Sequence, residues 1–260
     1  HLGANDSIEA VCMPAACATA ASFDRDMIRH MGEAIGDSCQ HEELSVVLGP
    51  AVNIKRSPLC GRNFEYFSED PYLAGEISAA FINGVQSKNV GTSIKHFAAN
   101  NQEHRRMSSS SNVDERTLRE IYFPAFETSV KKAQPWTVMC SYNRINGVYA
   151  SEDPWLLTDV LRDDWGFEGY VVSDWGACND PVAAIRNGSA LNMPAPGLGN
   201  AAFVVRQVRE GALSEQDLDD RLAELLPVIL QTVSAHDTRP SYDRQVHHKL
   251  AQKCAEHTVV

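Results

Sequence analysis

The chain has 260 residues, of which 43% are hydrophobic and 22% are charged, which is enough for one large domain with a packed core. Its formal net charge of -11 argues against nucleic acid or an anionic membrane surface as a partner, whereas a neutral or cationic small molecule is compatible with it. No run of about 18 apolar residues indicates a membrane span. The seven cysteines are scattered without a Cys-x-x-Cys pair, which is typical of reduced thiols, so we expect a cytoplasmic protein.

Short, valine-rich apolar runs alternate with helical patterns along the chain. Weaker strand candidates lie at 9–15 and 188–194, and apolar residues recur at helical spacing in 24–41, 72–87 and 114–133. The runs with the clearest strand character, bounded by turn residues or loops, are 45–54, 91–97, 136–143 and 169–175. Such alternation predicts a parallel sheet covered by helices, either a (β/α) barrel or a doubly wound sheet.

Further signals mark where helices begin and end. Asp-Pro pairs predict two helix starts, a Ser-x-x-Asp pattern resembles a capping box, and two glycines stand where helix C-caps are expected. These positions are Asp153-Pro154, Asp180-Pro181, Ser214 with Asp217, Gly188 and Gly211. A last helical pattern carries His247 and His248, which we expect to be exposed.

Polar residues end the predicted strands repeatedly. They are Lys95, His96, Tyr142, Asn143 and Asp174. In a barrel the carboxyl ends of the strands carry the chemistry, so these side chains predict a shared polar pocket. Two long loops, 55–72 and 98–113, follow strands and should lie on the same face.

Asp174 ends the apolar run Tyr170, Val171, Val172 and stands beside Trp175. A carboxylate there could cap the next helix, bind a metal, act as a general base or act as a nucleophile. Neighbouring cations such as Lys95 would keep it ionised. A tryptophan face suits stacking on a sugar ring, and the combination is what a glycosidase needs.

Lys95 and His96 are consecutive, so in a regular strand they would point to opposite faces. Both can meet one ligand only if the strand bends there. Lys95 could also form a Schiff base, as in an aldolase, but that needs a lowered pKa and an ionised Asp174 nearby should raise it. The carboxylates of "EYFSEDP" favour a role in fixing their loop. The histidines show no metal-binding spacing and there is no phosphate-binding loop, so we expect neither metal nor cofactor.

Five long segments together resemble glycoside hydrolase family 3, on its β-glucosidase and β-xylosidase side. They cover nearly the whole chain from about residue 8. In order they read CGRNFEYFSEDPYLAGE, IKHFAANNQEHRR, DERTLREIYFPAFE, VMCSYNRINGVYAS and LLTDVLRDDWGFEGYVVSDWGA. The segment KHFAANNQE differs from the KHFPGHG of the family's β-N-acetylglucosaminidases and is similar to the two-domain glucosidase type.

The resemblance implies a retaining hydrolase with a (β/α)8 TIM-like barrel. Asp174 matches the family's nucleophile, and Trp175 matches the aromatic floor of the sugar subsite. The positions that match substrate-binding residues are Arg62, Lys95, His96, Arg106, Met139 and Tyr142, and Tyr142 is also expected to steer the Asp174 carboxylate.

Three departures from the family pattern accompany the resemblance. No aspartate of a DGPHG-like segment is found near His1, and the general acid/base carboxylate of the family comes from a second α/β domain. The segment 188–194 reads GSALNMP where GLDLEMP is usual, so Ala190 and Asn192 replace carboxylates. We therefore expect a barrel domain over 1–239, incomplete at its N-terminus, followed by a linker helix and the start of a second domain over 240–260.

The function predicted from the sequence is release of terminal β-D-glucose from a small β-glucoside or oligosaccharide, through a covalent intermediate on Asp174. The expected partners are that substrate and the chain's own C-terminal domain, and a homo-oligomer is compatible with the sequence. The alternatives are a β-xylosidase of the same family and a sugar-binding module without catalysis.

Overall fold

The computed structural model describes residues 9–195, 197–235 and 241–259. Its central element is a five-stranded parallel sheet in the order β1-β2-β4-β7-β8. The strands of this sheet are β1 (Val46–Val47), β2 (Gly91–Phe97), β4 (Thr137–Cys140), β7 (Tyr170–Val172) and β8 (Ser189–Leu191). A second sheet of three short strands, β3 (Ser110–Ser111), β5 (Arg144–Ile145) and β6 (Val148–Tyr149), lies in the loops that follow β2 and β4.

Helices connect successive strands of the large sheet, as parallel pairing requires. The α-helices in these connections are α3 (Pro71–Gln86), α4 (Glu115–Thr117), α5 (Pro124–Ala133) and α6 (Pro181–Arg186). Before β1 lie α1 (Ala16–Ala20) and α2 (Arg25–His41), and after β8 lie α7 (Leu198–Arg209), α8 (Glu215–Ala235) and α9 (Arg244–Thr258). Two π-helical segments, Leu118–Tyr122 and Trp155–Asp164, complete the helical layer. None of the helices in the described ranges is long and apolar enough to cross a membrane.

The α/β barrel class predicted from the sequence is confirmed, and within the described ranges the strands form an open sheet without closing into a ring. Every residue of β4 and β7 is buried. This is typical of parallel sheets, which are covered by the helices of their connections, whereas antiparallel sheets often have one face in contact with water. The core between sheet and helices includes Ile82, Ile94, Phe97 and Phe126.

Helix ends follow the sequence signals closely. The carboxylate of Asp180 accepts hydrogen bonds from the Val182 and Ala183 amides and caps α6. At the start of α8, Ser214 and Asp217 bond each other's backbone amides, as the capping-box pattern predicts. Gly188 and Gly211 both adopt positive φ angles directly after the C-cap residues Asn187 and Glu210.

Helices α2 and α3 approach so closely that glycines are required between them. A Cβ on Gly84 would lie 2.2 Å from the Arg29 carbonyl oxygen, and one on Gly32 would lie 2.6 Å from the Phe81 carbonyl oxygen. Only hydrogen atoms fit in that space, so these two glycines set the distance between the helices.

Two expectations were wrong. Residues 9–15 are not a strand. His247 is buried, with its ring stacked on Tyr242 at 4.9 Å and its Nδ1 3.5 Å from the Ser38 hydroxyl, because α9 packs against α1 and α2. His248 is exposed, as expected.

Candidate active site

The carboxyl ends of β2, β4 and β7 meet at one edge of the sheet. Strand pairing places Met139 of β4 opposite Val172 of β7, so Tyr142 and Asp174 both follow closely after paired residues. The parallel arrangement therefore collects polar residues from three strand ends at one place, as the sequence predicted.

Asp174 is only 8% exposed, and its two carboxylate oxygens have different surroundings. Oδ1 accepts the Trp175 amide at 2.7 Å. Oδ2 is buried and has no hydrogen-bond partner in the part of the chain that the structure describes. The His96 Nε2 lies 3.6 Å from Oδ2, just beyond ordinary hydrogen-bond distance.

The helix-capping interpretation of Asp174 does not hold. The next helix, α6, begins at Pro181 and takes its cap from Asp180. A buried carboxylate oxygen without a partner is costly unless something else requires it, so a chemical role for Asp174 is favoured.

The bend that Lys95 and His96 need is a β-bulge in β2. Ile94 pairs with Val138 and Phe97 pairs with Cys140, so two residues of β2 stand opposite the single residue Met139. A bulge interrupts the regular alternation of side chains. Both side chains consequently lie on the pocket side, with Lys95 directed at Glu65 and His96 directed at Asp174.

Asn53 holds the bulge in place. Its side-chain amide donates to the His96 carbonyl oxygen at 2.9 Å, and its side-chain oxygen accepts the His96 amide at 2.8 Å. Asn53 is buried and so replaces, with a side chain, the strand pairing that the bulge removes from His96.

Arg62 and Lys95 share one carboxylate, that of Glu65. Glu65 accepts from Arg62 Nε in a short ion pair and lies 3.5 Å from Lys95 Nζ. The loop-fixing role predicted for the EYFSEDP carboxylates is thus what Glu65 performs, while Asp70 caps α3 through the Tyr72 amide.

The expectation about the pKa of Lys95 was wrong in direction. Burial lowers this pKa below its ordinary 10.5, with Arg62 adding to the effect, and the negative charges of Glu65 and Asp174 only partly oppose it. The ion pair with Glu65 favours the charged amine, whereas a Schiff base requires the neutral one.

His96 is neutral in this site. Burial, together with the positive charges of Arg62, Lys95 and Arg106, holds its pKa well below the ordinary 6.5. The contact between His96 and Asp174 is therefore one between a neutral imidazole and a carboxylate.

Tyr142, Arg106 and Trp175 form one wall of the site. The Tyr142 hydroxyl donates to the Trp175 carbonyl oxygen at 2.9 Å, and the Arg106 guanidinium lies 4.5 Å from the centroid of the Tyr142 ring. Burial and the nearby negative charge of Asp174 raise the pKa of Tyr142 to about 12, so the phenol keeps its proton. Met139 lies in a small apolar cluster against which Trp175 packs.

The structure thus places the predicted site residues in two groups of contacts that the consecutive residues Lys95 and His96 join. One group is Arg62 and Lys95 around Glu65, and the other is His96, Asp174, Trp175, Tyr142, Arg106 and Met139. The segment 188–194, whose sequence differs from the usual family pattern, contacts the residues around Asp174. The Met193 amide donates to the Ser173 hydroxyl at 2.8 Å, that hydroxyl lies 3.3 Å from Asn192 Oδ1, and Ala190 packs against the cluster of Met139. Asn192 therefore supports the residue that precedes Asp174.

A cavity of about 570 Å³ lies between the loops 55–72 and 98–113, and none of the predicted site residues is among its lining residues. Arg56, Asn101, Glu103 and His104 are among its lining residues, and Glu103 pairs with Arg106 at 2.7 Å. No group of three or more His, Cys, Asp or Glu residues in the described ranges is arranged to hold a metal ion.

Comparisons with known proteins identify the family. Residues 3–228 match the model of the glycosyl hydrolase family 3 N-terminal domain. The chain belongs to this family.

Its similarity to individual family members extends over most of the chain. It is 51% identical over 256 residues to the thermostable β-glucosidase B of Acetivibrio thermocellus, a match that covers 98% of this chain and 34% of that protein. It is 48% identical over 257 residues to an exo-α-(1->6)-L-arabinopyranosidase of Bifidobacterium breve, with 98% of this chain and 34% of that protein covered. The chain therefore spans about a third of the length of these relatives.

Solved structures of family members show the same fold. A β-glucosidase of Bifidobacterium adolescentis superposes with a TM-score of 0.92 at 49% identity, covering 95% of this chain and 36% of that one. The β-glucosidase 3B of Thermotoga neapolitana, solved with glycerol, gives 0.91 at 41% identity, with 95% and 36% covered. The resemblance to family 3 seen in the sequence is confirmed.

Three residues that shape the site were not among those predicted: Asn53, Tyr66 and Asn100. Asn53 could have been found, because "AVNI" is another apolar run interrupted by a polar residue near its end. Tyr66 and Asn100 carry no such signal, since their relation to His96 arises only where the loop after β1 folds over β2.

Proposed function

We propose that this chain supplies the sugar-binding and nucleophilic half of a retaining glycosidase that releases terminal β-D-glucose from β-glucosides. The observation that carries the proposal is the buried Oδ2 of Asp174, without a hydrogen-bond partner among the described residues, at a strand end lined by Lys95, His96 and Trp175. The names of the relatives and their similarity to this chain support the substrate class.

In the proposed reaction, Asp174 Oδ2 attacks the anomeric carbon of the bound glucose. The bond from that carbon to the glycosidic oxygen breaks, and the departing oxygen receives a proton from a carboxylic acid. Water then attacks the anomeric carbon of the glycosyl ester. It gives its proton to the same carboxylate and releases Asp174 together with glucose.

We place the acid/base carboxyl group outside this chain, in a part of the parent polypeptide that follows the barrel. A retaining mechanism needs two carboxyl groups about 5–5.5 Å apart. Glu65 is unsuited to the role, because Arg62 and Lys95 engage its two carboxylate oxygens. The greater length of the relatives is consistent with this placement.

The remaining groups suit the binding of a neutral sugar. Arg62, Lys95 and Arg106 offer donors to hydroxyl oxygens, and the Trp175 ring offers a face for the sugar ring. We propose that Tyr142 keeps the Asp174 carboxylate in place through the Trp175 backbone that both residues bond.

The test uses 2,4-dinitrophenyl 2-deoxy-2-fluoro-β-D-glucoside, whose leaving group needs no acid. Incubation should attach fluoroglucose to the chain, and peptide mass spectrometry should locate it on Asp174. Asp174→Asn should remove the labelling and also the turnover of dinitrophenyl β-glucosides. Labelling at another residue, or turnover that survives in Asp174→Asn, would show that Asp174 is not the nucleophile.

Asp180→Asn is the matched control. Asp180 is a carboxylate of the same loop region that caps α6, and asparagine caps helices equally well. Its labelling and turnover should match those of the unchanged chain. Parallel assays with aryl β-xylosides and α-L-arabinopyranosides will rank the sugars. Absence of labelling together with measurable binding of glucose would favour the sugar-binding module instead.

A further inference from the structure

The phenol of Tyr66 is buried directly behind His96, on the side away from Asp174. Tyr66 is fully buried and His96 is 1% exposed. The Tyr66 hydroxyl lies 3.4 Å from His96 Nδ1, 3.2 Å from the Asn100 carbonyl oxygen and 3.4 Å from the Asn100 side-chain nitrogen. Contacts therefore run from Tyr66 through the His96 ring to Asp174, the candidate nucleophile.

Counting protons leaves the phenol two possible acceptors. Because His96 is neutral, its ring carries one proton, on Nδ1 or on Nε2. The phenol also has one proton, and the Asn100 side-chain amide can only donate to the phenol oxygen. The phenolic proton therefore goes either to His96 Nδ1 or to the Asn100 carbonyl oxygen.

The two ring nitrogens decide which acceptor the phenol uses. If the phenol bonded Asn100 and Nδ1 carried the ring proton, the bare Nε2 would face Asp174 Oδ2 at 3.6 Å. If the phenol bonded Asn100 and Nε2 carried the proton, the bare Nδ1 would face the phenol oxygen at 3.4 Å. In either case two acceptors would oppose each other in a buried site, which is unfavourable. If the phenol bonds Nδ1, Nε2–H faces Oδ2 and every proton in these contacts points toward an acceptor.

We infer that Tyr66 donates its proton to His96 Nδ1 and thereby keeps His96 in the tautomer whose Nε2–H faces Asp174. Tyr66 is then a positioning residue, and its effect on turnover rests on the proposed function. The weak, long contact from Nε2–H stabilises the ionised Oδ2 while leaving that oxygen free to attack. Burial raises the pKa of Tyr66, so its phenol keeps the proton that this role requires.

The tautomer can be read directly from the ¹⁵N resonances of the histidine ring. In long-range ¹H–¹⁵N spectra of the labelled chain, a bare ring nitrogen resonates far downfield of a protonated one. His96 is assigned by the loss of its signals in His96→Gln. We expect a protonated Nε2 and a bare, hydrogen-bonded Nδ1, and a proton on Nδ1 would overturn the inference.

Tyr66→Phe removes only the hydroxyl and retains the ring. Its His96 Nδ1 resonance should move further downfield, because the bare nitrogen loses its donor. The control is Tyr170→Phe, another buried tyrosine, which should leave the His96 signals unchanged. Unchanged signals in Tyr66→Phe, or an equal shift in both variants, would also overturn the inference.

Kinetics separate this inference from the proposed function. On the dinitrophenyl β-glucoside, Tyr66→Phe should lower kcat about threefold to tenfold with little change in KM, which corresponds to one hydrogen bond. If the chain hydrolyses the glucoside and Tyr66→Phe retains full kcat, the positioning role is refuted. If the chain does not hydrolyse it but the resonances are as expected, the proposed function fails and the tautomer assignment stands.

Discussion

Glu65 is predicted to stabilise the folded chain by neutralising two partly buried cations. Glu65→Gln keeps the size of the side chain and removes its charge, leaving Arg62 and Lys95 close together without a counter-ion. Their side chains are only 18% and 13% exposed, so water cannot fully replace the lost carboxylate. Removing one member of a buried ion pair leaves an uncompensated charge, which is the costly case.

The size of the loss follows from the geometry. At the 3.5 Å between Lys95 Nζ and Glu65 Oε2, Coulomb's law gives about 5 kcal/mol at an effective dielectric constant of about 20 and about 1 kcal/mol in water. Because these side chains retain some exposure, we expect a net loss of about 2 kcal/mol in the free energy of unfolding near pH 7. The control Glu120→Gln breaks the exposed pair with Arg116 and should cost less than about 0.5 kcal/mol.

The loss should also depend on pH in a defined direction. Glu65 raises the pKa of Lys95, which burial holds below 10.5, so Glu65→Gln lowers this pKa further. Below pH 10.5 the unfolded chain therefore holds a proton on Lys95 that the folded variant binds less tightly. The folded variant loses stability as pH falls from 10.5 to its own Lys95 pKa, and it loses more than the unchanged chain does. The difference between the free energies of unfolding of the two proteins should therefore narrow as pH rises from neutral toward 10.5.

Urea unfolding near neutral pH and again near the upper end of this range, with unchanged m values, measures the difference in the free energy of unfolding between the two proteins. A loss below about 0.5 kcal/mol near pH 7 would refute the reasoning that these charges are poorly solvated. An equal loss at both pH values would refute the assignment to Lys95.

Two further predictions concern packing and acid stability. Gly84→Ala should lower the free energy of unfolding by about 2 kcal/mol, because its Cβ would lie 2.2 Å from the Arg29 carbonyl oxygen. The control is Gly199→Ala, whose Cβ meets nothing within 4 Å and which should be neutral or stabilising in the same urea experiment. The lowered pKa of His96 means that the unfolded chain binds a proton below pH 6.5 that the folded chain excludes, so each unit of acidification costs up to about 1.4 kcal/mol. His96→Gln should flatten this dependence between about pH 7 and about pH 5 in thermal unfolding, and parallel curves for the two proteins would contradict it.

The sequence by itself determined the class of fold and the edge of the sheet that carries the site. Alternation of apolar runs with helical patterns is a local signal, since strand and helix periodicities are set by backbone geometry. β2 coincides with the predicted strand 91–97, and the capping signals at Asp180 and Ser214 are used as expected. The polar residues Asp174 and Tyr142 also follow apolar runs in the sequence, so parallel topology was enough to bring them together.

Only the tertiary structure decided how the individual groups act. The sequence raised the difficulty of two consecutive residues, Lys95 and His96, reaching one pocket, but a bulge depends on the register between two strands and on a third residue, Asn53, that fills the gap. The direction predicted from the sequence for the pKa shift of Lys95 was wrong. Motifs indicate which charges are nearby, but the burial that lowers this pKa depends on the whole fold. Tyr66 lies 30 residues from His96 along the chain, and only the folding of its loop over β2 gives the imidazole a hydrogen-bond partner.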